Sequence, residues 1–129
     1  MTNIPDAGEP PGSGDAGERL GIASQPLLSL AVDHRDEECI VTLDGELDVS
    51  TAPKLHEVLA AVVSQEAPDP IILDLAALRF VDSTGLSLLV STNKRMKDLD
   101  RILILENAQP IVRRLLEVTG LMAVFRLEG

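Results

Sequence analysis

Three small polar residues stand together at one strand-to-helix junction of the sequence. The segment Phe80-Val-Asp-Ser-Thr-Gly-Leu86 follows an apolar run and precedes a helical pattern, which places Asp82, Ser83 and Thr84 at a helix N-terminus. Any of the three side chains can accept from the N–H groups that a first helical turn leaves free. One cap is enough, so two interpretations stay open: a redundant capping turn, or a site with a further use.

The further use has a definite chemistry. A hydroxyl at a helix N-terminus is a favourable place for a phosphate, because the free N–H groups and the helix dipole both attract an anion. Phosphorylation adds a charge of about −1.5 to −2. That charge would leave the helix intact and disturb a partner surface docked over the turn, especially with Asp82 adjacent. Ser83 is therefore a candidate switch.

A second turn of similar composition lies earlier in the chain. In Leu43-Asp-Gly-Glu-Leu-Asp-Val-Ser-Thr-Ala52, the residues Asp48, Ser50 and Thr51 again offer more polar groups than one cap needs. Both turns follow strand ends, and loops at the carboxyl ends of strands are the usual site location in open α/β sheets. We expect the two turns to share one edge of the sheet. A plain helix cap with solvated acids remains the alternative for this second turn.

Other chemistry has little support in the sequence. His34 and His56 have no cysteine or carboxylate at metal-ligand spacing. Neither Gly-rich phosphate loop occurs, and the G-x-S-x-G nucleophile elbow is missing. The single cysteine, Cys39, cannot form an internal disulfide and falls in a predicted strand, where we expect a small buried hydrophobe. We therefore expect no catalytic residue, no metal and no cofactor.

Composition narrows the class of protein further. The 129 residues fit about one domain, and the net charge of −10 disfavours binding to nucleic acid or to anionic membrane surfaces. The two aromatic residues are too few for base-stacking platforms. No apolar run approaches the ~20 residues that span a bilayer, and the N-terminus lacks the pattern of a secretory signal. We expect a cytoplasmic protein.

The chain divides near residue 26. Residues 1–26 hold five of the nine glycines and four of the eight prolines, which predicts a flexible acidic tail before a folded domain over residues 27–129. Alternating or continuous apolar runs predict strands at 28–33, 39–43, 71–75, 101–106 and 124–127. The first two strands form a hairpin, and Asp44-Gly45 is expected to end the second.

Helical periodicity fills the intervals between the later strands. The residues expected to face the core are Leu55, Val58, Leu59 and Val62 in the first helix, Leu86, Leu89, Val90 and Met96 in the second, and Ile111, Leu115 and Val118 in the third. Asn107 is expected to cap the third helix and Gly120 to end it. The order β-β-α-β-α-β-α-β predicts an α/β domain with a mixed sheet.

Four segments in this order resemble the signature of STAS-domain anti-sigma factor antagonists. They are Gly45-Glu-Leu-Asp48 with Thr51-Ala52, Ile72-Leu-Asp-Leu75, Phe80-Val-Asp-Ser-Thr-Gly-Leu86, and Arg113-Arg-Leu-Leu-Glu-Val-Thr-Gly-Leu121. The similarity covers roughly residues 27–127. It implies a single STAS-like domain, with a small mixed sheet and helices mainly on one face.

The resemblance also implies a function. Family members are not enzymes: the unphosphorylated form binds an anti-sigma factor, typically a serine kinase of the histidine-kinase-like ATPase fold, and so frees a sigma factor. That kinase would phosphorylate Ser83, with Thr84 as a secondary acceptor, and a PP2C-type phosphatase would reverse the step. ATP would belong to the kinase, not to this chain. The implied partner-binding surface comprises Asp48, Ser50, Thr51, Asp82, Ser83, Thr84 and Gly85.

Two other functions are weighed against this one. A STAS module can serve as a scaffold in a stressosome-type or lipid-transport complex, where Ser83 need not be phosphorylated. A small enzyme centred on Asp82 and Ser83 lacks a base placed within reach by the sequence.

Gly85 is expected to resist replacement, because a side chain there would crowd the partner contact.

Overall fold

The structure of the protein is a computed structural model that describes residues 27–64 and 70–129; the predicted tail over residues 1–26 lies outside them. The described strands are β1 (Leu28–Arg35), β2 (Glu38–Leu47), β3 (Ile71–Val81), β4 (Leu103–Glu106) and β5 (Arg126–Glu128). The helices are α1 (Ala52–Ser64), α2 (Ser83–Asp98) and α3 (Pro110–Val118). The predicted order of elements is confirmed.

The five strands form one mixed sheet in the order β1-β2-β3-β4-β5. β1 and β2 pair as an antiparallel hairpin, and every later neighbour is parallel. Each parallel connection needs a crossover, which α1, α2 and α3 supply in turn. Because β2 and β3 run in the same direction and Leu47 pairs with Val81, the turns that follow them leave from the same edge of the sheet.

The main core lies between the helices and one face of the sheet. It combines buried strand residues such as Val41, Leu73 and Leu105 with buried helix residues such as Leu55 and Leu89. The opposite face carries a separate row of three isoleucines, Ile40, Ile72 and Ile104, which pair across neighbouring strands. No helical residue joins that row among the described residues, so the expectation of helices mainly on one face is confirmed.

Cys39 belongs to the main core. Its side chain is fully buried as a free thiol, and burial raises the pKa of Cys39 above the ordinary thiol value. The prediction of a small buried hydrophobe is confirmed.

Three strands are longer than the sequence pattern indicated, and β1 extends by two residues to Arg35. β2 does not end at Asp44-Gly45 but continues to Leu47, and β3 continues beyond residue 75 to Val81. The pairing between them shifts register at two points near Gly45, so the strict alternation that the prediction relied on is interrupted without ending either strand. Gly45 has φ +129°, and a side chain there would collide with the carbonyl oxygen of Leu27.

The inward face of α3 is also corrected. Val112 and Leu116 are buried, whereas Ile111 and Val118, which were expected to face the core, are 59% and 67% exposed. Both sets have helical spacing, so periodicity alone could not choose between them. The N-cap is Gln109 rather than Asn107, without a side-chain capping bond, and Pro110 occupies the first turn.

The connections around α3 complete this correction. Asn107 adopts a left-handed backbone with φ 60° and donates a 3.4 Å hydrogen bond to Asp74 Oδ1. Gly120 has φ +74° just after the helix, as expected for a terminator. The last strand begins at Arg126 rather than at residue 124.

Candidate functional site

The two polar turns meet at the carboxyl end of β2 and β3. The backbone N–H of Asp82 donates to the Leu47 carbonyl at 3.0 Å. The backbone N–H of Val49 donates to Asp82 Oδ2 at 3.1 Å, across 33 residues of sequence. The expectation that the two turns share one edge of the sheet is therefore confirmed, and one carboxylate joins them. We call them the β2–α1 turn (residues 48–51) and the β3–α2 turn (residues 82–84).

Asp82 is the residue that caps α2. Its Oδ1 accepts from the Gly85 backbone N–H at 2.9 Å, while its Oδ2 holds the β2–α1 turn. The other two candidate caps, Ser83 and Thr84, are exposed, and neither hydroxyl has a hydrogen-bond partner among the described residues. The side-chain cap of α2 thus uses neither hydroxyl.

The β2–α1 turn is organised around Asp48. Its Oδ1 accepts from the Ser50 hydroxyl at 2.7 Å, the Ser50 N–H at 2.9 Å and the Thr51 N–H at 3.1 Å. The hydrogen bond from the Ser50 hydroxyl is the largest cause that lowers the pKa of Asp48 below its ordinary value, and the backbone bonds add to it against the opposing effect of desolvation. Asp48 is therefore ionised at neutral pH.

Thr51 is a buried structural residue. Its hydroxyl donates to the Glu46 carbonyl at 2.8 Å and accepts from the Asp48 N–H at 2.9 Å. The implied partner surface included Thr51, but the structure places its hydroxyl inside the turn. Ser50 stays exposed, although its hydroxyl is engaged by Asp48.

Gly85 has no room for a side chain, because it packs against Leu47 of β2. It is buried, and a Cβ at this position would lie 2.6 Å from Leu47 Cγ and 2.9 Å from the Leu47 carbonyl oxygen. This contact is an intramolecular reason for Gly85 to resist replacement, and the crowding of a partner stays a prediction. Gly85 lets α2 start against β2, and so positions the exposed residues that precede it.

An apolar groove adjoins both turns. Its cavity of about 390 Å³ lies between the N-terminal parts of α1 and α2 and is lined by Val49, Ala52, Pro53, His56, Thr84 and Leu88. Val49 is 68% exposed, although it is the one large apolar residue of its turn. The sequence analysis did not include Val49, His56 or Leu88 among the site residues. Only Val49 carries a signal in the sequence, because it is an apolar residue inside an otherwise polar turn. We call this cavity the turn groove.

The arrangement is suited to recognition and to a change of charge. Exposed hydroxyls, an ionised Asp48 and an apolar groove lie side by side on one edge. Over residues 27–64 and 70–129, no group of three or more His, Cys, Asp or Glu side chains could hold a metal ion. Within the same ranges, no helix is long and apolar enough to cross a membrane.

The sheet order, the three crossover helices and the paired turns define the class of protein. The family model described as the STAS domain matches residues 29–128, and the chain belongs to this family.

Particular relatives sharpen the assignment. The chain is 36% identical over 94 residues to the anti-sigma-B factor antagonist of Staphylococcus epidermidis, covering 73% of this chain and 86% of that protein. The same identity and coverage hold for the anti-sigma-B factor antagonist of Staphylococcus aureus. The crystal structure of an anti-sigma factor antagonist from Mycobacterium paratuberculosis superposes with a TM-score of 0.72 at 31% identity, covering 82% of this chain and 90% of that one.

Proposed function

We propose that this chain is an anti-sigma factor antagonist switched by phosphorylation of Ser83. In its unphosphorylated form it binds an anti-sigma factor and releases the sigma factor held by it. The anti-sigma factor is a serine kinase of the histidine-kinase-like ATPase fold that modifies Ser83, and a PP2C-type phosphatase removes the phosphate. The chain itself acts in the cytoplasm as a regulator and performs no catalysis.

The observation that supports this proposal is that Asp82 makes the structural hydrogen bonds of the β3–α2 turn and the Ser83 hydroxyl makes none among the described residues. Asp82 provides the cap and the link to the neighbouring turn, so the Ser83 hydroxyl has no structural duty. An N-cap hydroxyl would be costly to modify, since removing its hydrogen bond destabilises a helix by about 1 kcal/mol. The exposed Ser83 hydroxyl can receive a phosphate without that loss.

The helix N-terminus can accommodate the phosphate. Asp82 takes the Gly85 N–H through its side chain and the Leu86 N–H through its carbonyl. The N–H groups of Ser83 and Thr84 have no backbone acceptor among the described residues. These two donors and the helix dipole favour an anion at this point. The domain is therefore expected to remain folded when Ser83 is phosphorylated.

The partner surface would not tolerate the same change. A phosphate would stand beside Asp82 and the ionised Asp48, and would add a charge of about −1.5 to −2 to this edge. The turn groove next to it offers Val49 and Leu88 as apolar contacts for a docked protein. Placing an unpaired charge at a desolvated contact costs about 2–5 kcal/mol, which corresponds to at least a 30-fold loss of affinity.

The test is a paired capture with full-length chains. Ser83→Ala and Ser83→Asp proteins serve as baits in native cytosol, and captured proteins are identified by mass spectrometry. Ser91→Asp is the matched control, because it adds the same charge at an exposed position two turns further along α2. We expect the alanine and control baits to capture a histidine-kinase-like anti-sigma factor, and the aspartate bait to lose it.

Two results would contradict the proposal. Equal capture of the anti-sigma factor by the Ser83→Ala and Ser83→Asp baits would remove the switch. Capture of one large or membrane-linked assembly by both baits would instead identify a scaffold module.

When the captured kinase is incubated with ATP and the unsubstituted chain, the phosphate is expected on Ser83.

A further inference from the structure

Strand β3 extends well beyond its neighbour β4. The two strands pair only from Ile71 with Leu103 to Asp74 with Glu106, whereas β3 continues to Val81. Residues 75–81 therefore have no strand on that side within the described part of the chain. Helix α3 lies alongside instead, and Gln109 Nε2 donates to the Ala76 carbonyl at 2.6 Å.

A groove lies between α3 and the last two residues of this unpaired part of β3. It encloses about 280 Å³ and is lined by Phe80, Val81, Ile111, Val112, Arg114, Leu115 and Val118. Phe80 is 44% exposed, so it joins the exposed Ile111 and Val118 in one place. Arg114 is the single charged residue of this lining. We call it the β3–α3 groove.

The apolar content of the groove exceeds what the fold requires. Helix α3 already buries Val112 and Leu116 in the core. Ile111 and Val118, seven residues apart, are exposed and line the groove beside Leu115, which is half-buried and also packs against the core. Single exposed apolar residues are ordinary on protein surfaces, but a contiguous group marks an interaction surface.

We propose that the β3–α3 groove is a second docking site for the protein that binds over the β3–α2 turn. Its occupant is an extended segment of that partner, with apolar side chains next to an aspartate or glutamate. This inference rests on the proposed function and adds the location and chemistry of a second contact.

Three features select this occupant. An unpaired strand edge beside side-chain pockets is the geometry in which an extended peptide adds by main-chain hydrogen bonds. The guanidinium of Arg114 matches a carboxylate, which it can bind in a bidentate manner. Phe80 lies near the end of β3, two residues before Asp82, the N-cap of α2, so a partner seated on the β3–α2 turn reaches the groove along a continuous surface.

Photo-crosslinking locates the contact directly. A photoreactive phenylalanine analogue replaces Ile111 or Val118 in the full-length Ser83→Ala chain, bound to the anti-sigma factor that this chain captures. The control carries the analogue at Leu99, which is similarly exposed but follows the other end of α2. We expect crosslinks from positions 111 and 118 to one segment of the partner that contains an acidic residue. Crosslinks to a second copy of this chain, or yields equal to the Leu99 control, would overturn the inference.

Affinity measurements separate this inference from the proposed function. In the Ser83→Ala background, Ile111→Ser and Arg114→Glu are each expected to weaken binding at least 10-fold, while Arg114→Lys keeps part of the affinity and Leu99→Ser keeps all of it. Unchanged binding by Ile111→Ser and Arg114→Glu, with the Ser83→Ala and Ser83→Asp contrast intact, rejects the groove alone. Loss of that contrast, or capture of no anti-sigma factor, rejects both.

Discussion

The two turns at the carboxyl end of the sheet contain the same residue types and use them differently. In the β2–α1 turn, the hydroxyl of Ser50 donates to the Asp48 carboxylate and that of Thr51 accepts from the Asp48 N–H, so both form hydrogen bonds inside the turn. In the β3–α2 turn, the Asp82 carboxylate accepts the structural hydrogen bonds, and the hydroxyls of Ser83 and Thr84 accept or donate none among the described residues. The hydroxyls of the first turn are committed to structural hydrogen bonds, whereas those of the second are free to react or to bind.

The difference shows why the number of polar residues in a turn does not identify a site. Each turn has one aspartate and two hydroxyl side chains, which exceeds the need of one helix cap. Only the hydrogen bonds decide which hydroxyls are spare. The Asp82 carboxylate accepts the Gly85 N–H through one oxygen and the Val49 N–H through the other, so it makes both contacts without help from Ser83 or Thr84.

The largest expected effect comes from Gly85→Val, which strikes the contact between α2 and β2. The new side chain must displace Leu47, including its carbonyl oxygen, so we expect a loss of about 3 kcal/mol in the free energy of unfolding. Urea unfolding followed by circular dichroism measures it. Ser87→Val, at an exposed position on the same helix, is the control and is expected to change stability by less than about 0.5 kcal/mol. Equal midpoints for the two variants would show that Leu47 yields freely.

A matched pair of threonines tests the comparison itself. Thr51→Val removes a hydroxyl that joins Asp48 and Glu46, and is expected to cost about 2 kcal/mol because a buried donor and acceptor lose their partner. Thr84→Val removes an exposed hydroxyl and is expected to cost less than about 0.5 kcal/mol. Both are measured by urea unfolding. A Thr84→Val protein as unstable as Thr51→Val would break the distinction between the two turns.

Substitution of Asp82 separates its two contacts. Asp82→Ala loses both and is expected to cost about 1–2 kcal/mol. Asp82→Asn is expected to cost less, because Oδ1 of asparagine still accepts one hydrogen bond while its Nδ2 accepts none. Amide hydrogen exchange should show faster exchange at Val49 or Gly85, but not at both, in the asparagine variant. Ser83→Ala is the control, and any loss of protection at these amides there would contradict the assignment of the cap to Asp82.

The smallest expected effect is the pH dependence contributed by Asp48. Its pKa is lowered in the folded state, so its stabilising contribution is complete above the unfolded value of about 3.9 and is lost as the pH falls through the lower folded value. Carboxyl-carbon NMR titration measures this pKa. Ser50→Ala should move it back toward the ordinary value, since the Ser50 hydroxyl bond is the largest cause of the shift. An unchanged pKa of Asp48 in Ser50→Ala would show that the Ser50 hydroxyl is not the cause of the shift.

Much of the fold could be predicted from local patterns. The hairpin, the three crossover helices and the shared edge of the two turns all follow from periodicity and from the carboxyl-end rule for strands. The phase of α3 could not be predicted, because Ile111 and Val112 each begin a stripe of helical spacing and only packing on β3 decides between them. Gly45 was expected to end β2, but its φ of +129° belongs to an irregularity inside the strand.

The site was predictable in place but not in detail. Residue types indicated where the polar groups gather, whereas the second contact of Asp82, which joins the two turns, comes from a donor 33 residues away. The burial of Thr51 and the contact of Gly85 with Leu47 also involve β2, which lies outside the segment that carries Ser83. Contacts of that range leave no mark on local sequence spacing.

The bond between Val49 and Asp82 makes the serine part of a discontinuous epitope. A linear peptide covering residues 78–88 would carry Ser83 and its neighbours, but it would lack the Val49 N–H and the Leu47 carbonyl that hold Asp82 in place. Short helical peptides are marginal in water, so such a peptide would also lose the helix start that orients the hydroxyl. Under the proposed function, we therefore expect the kinase to modify the folded chain and not the linear peptide, which peptide arrays can test against the folded protein.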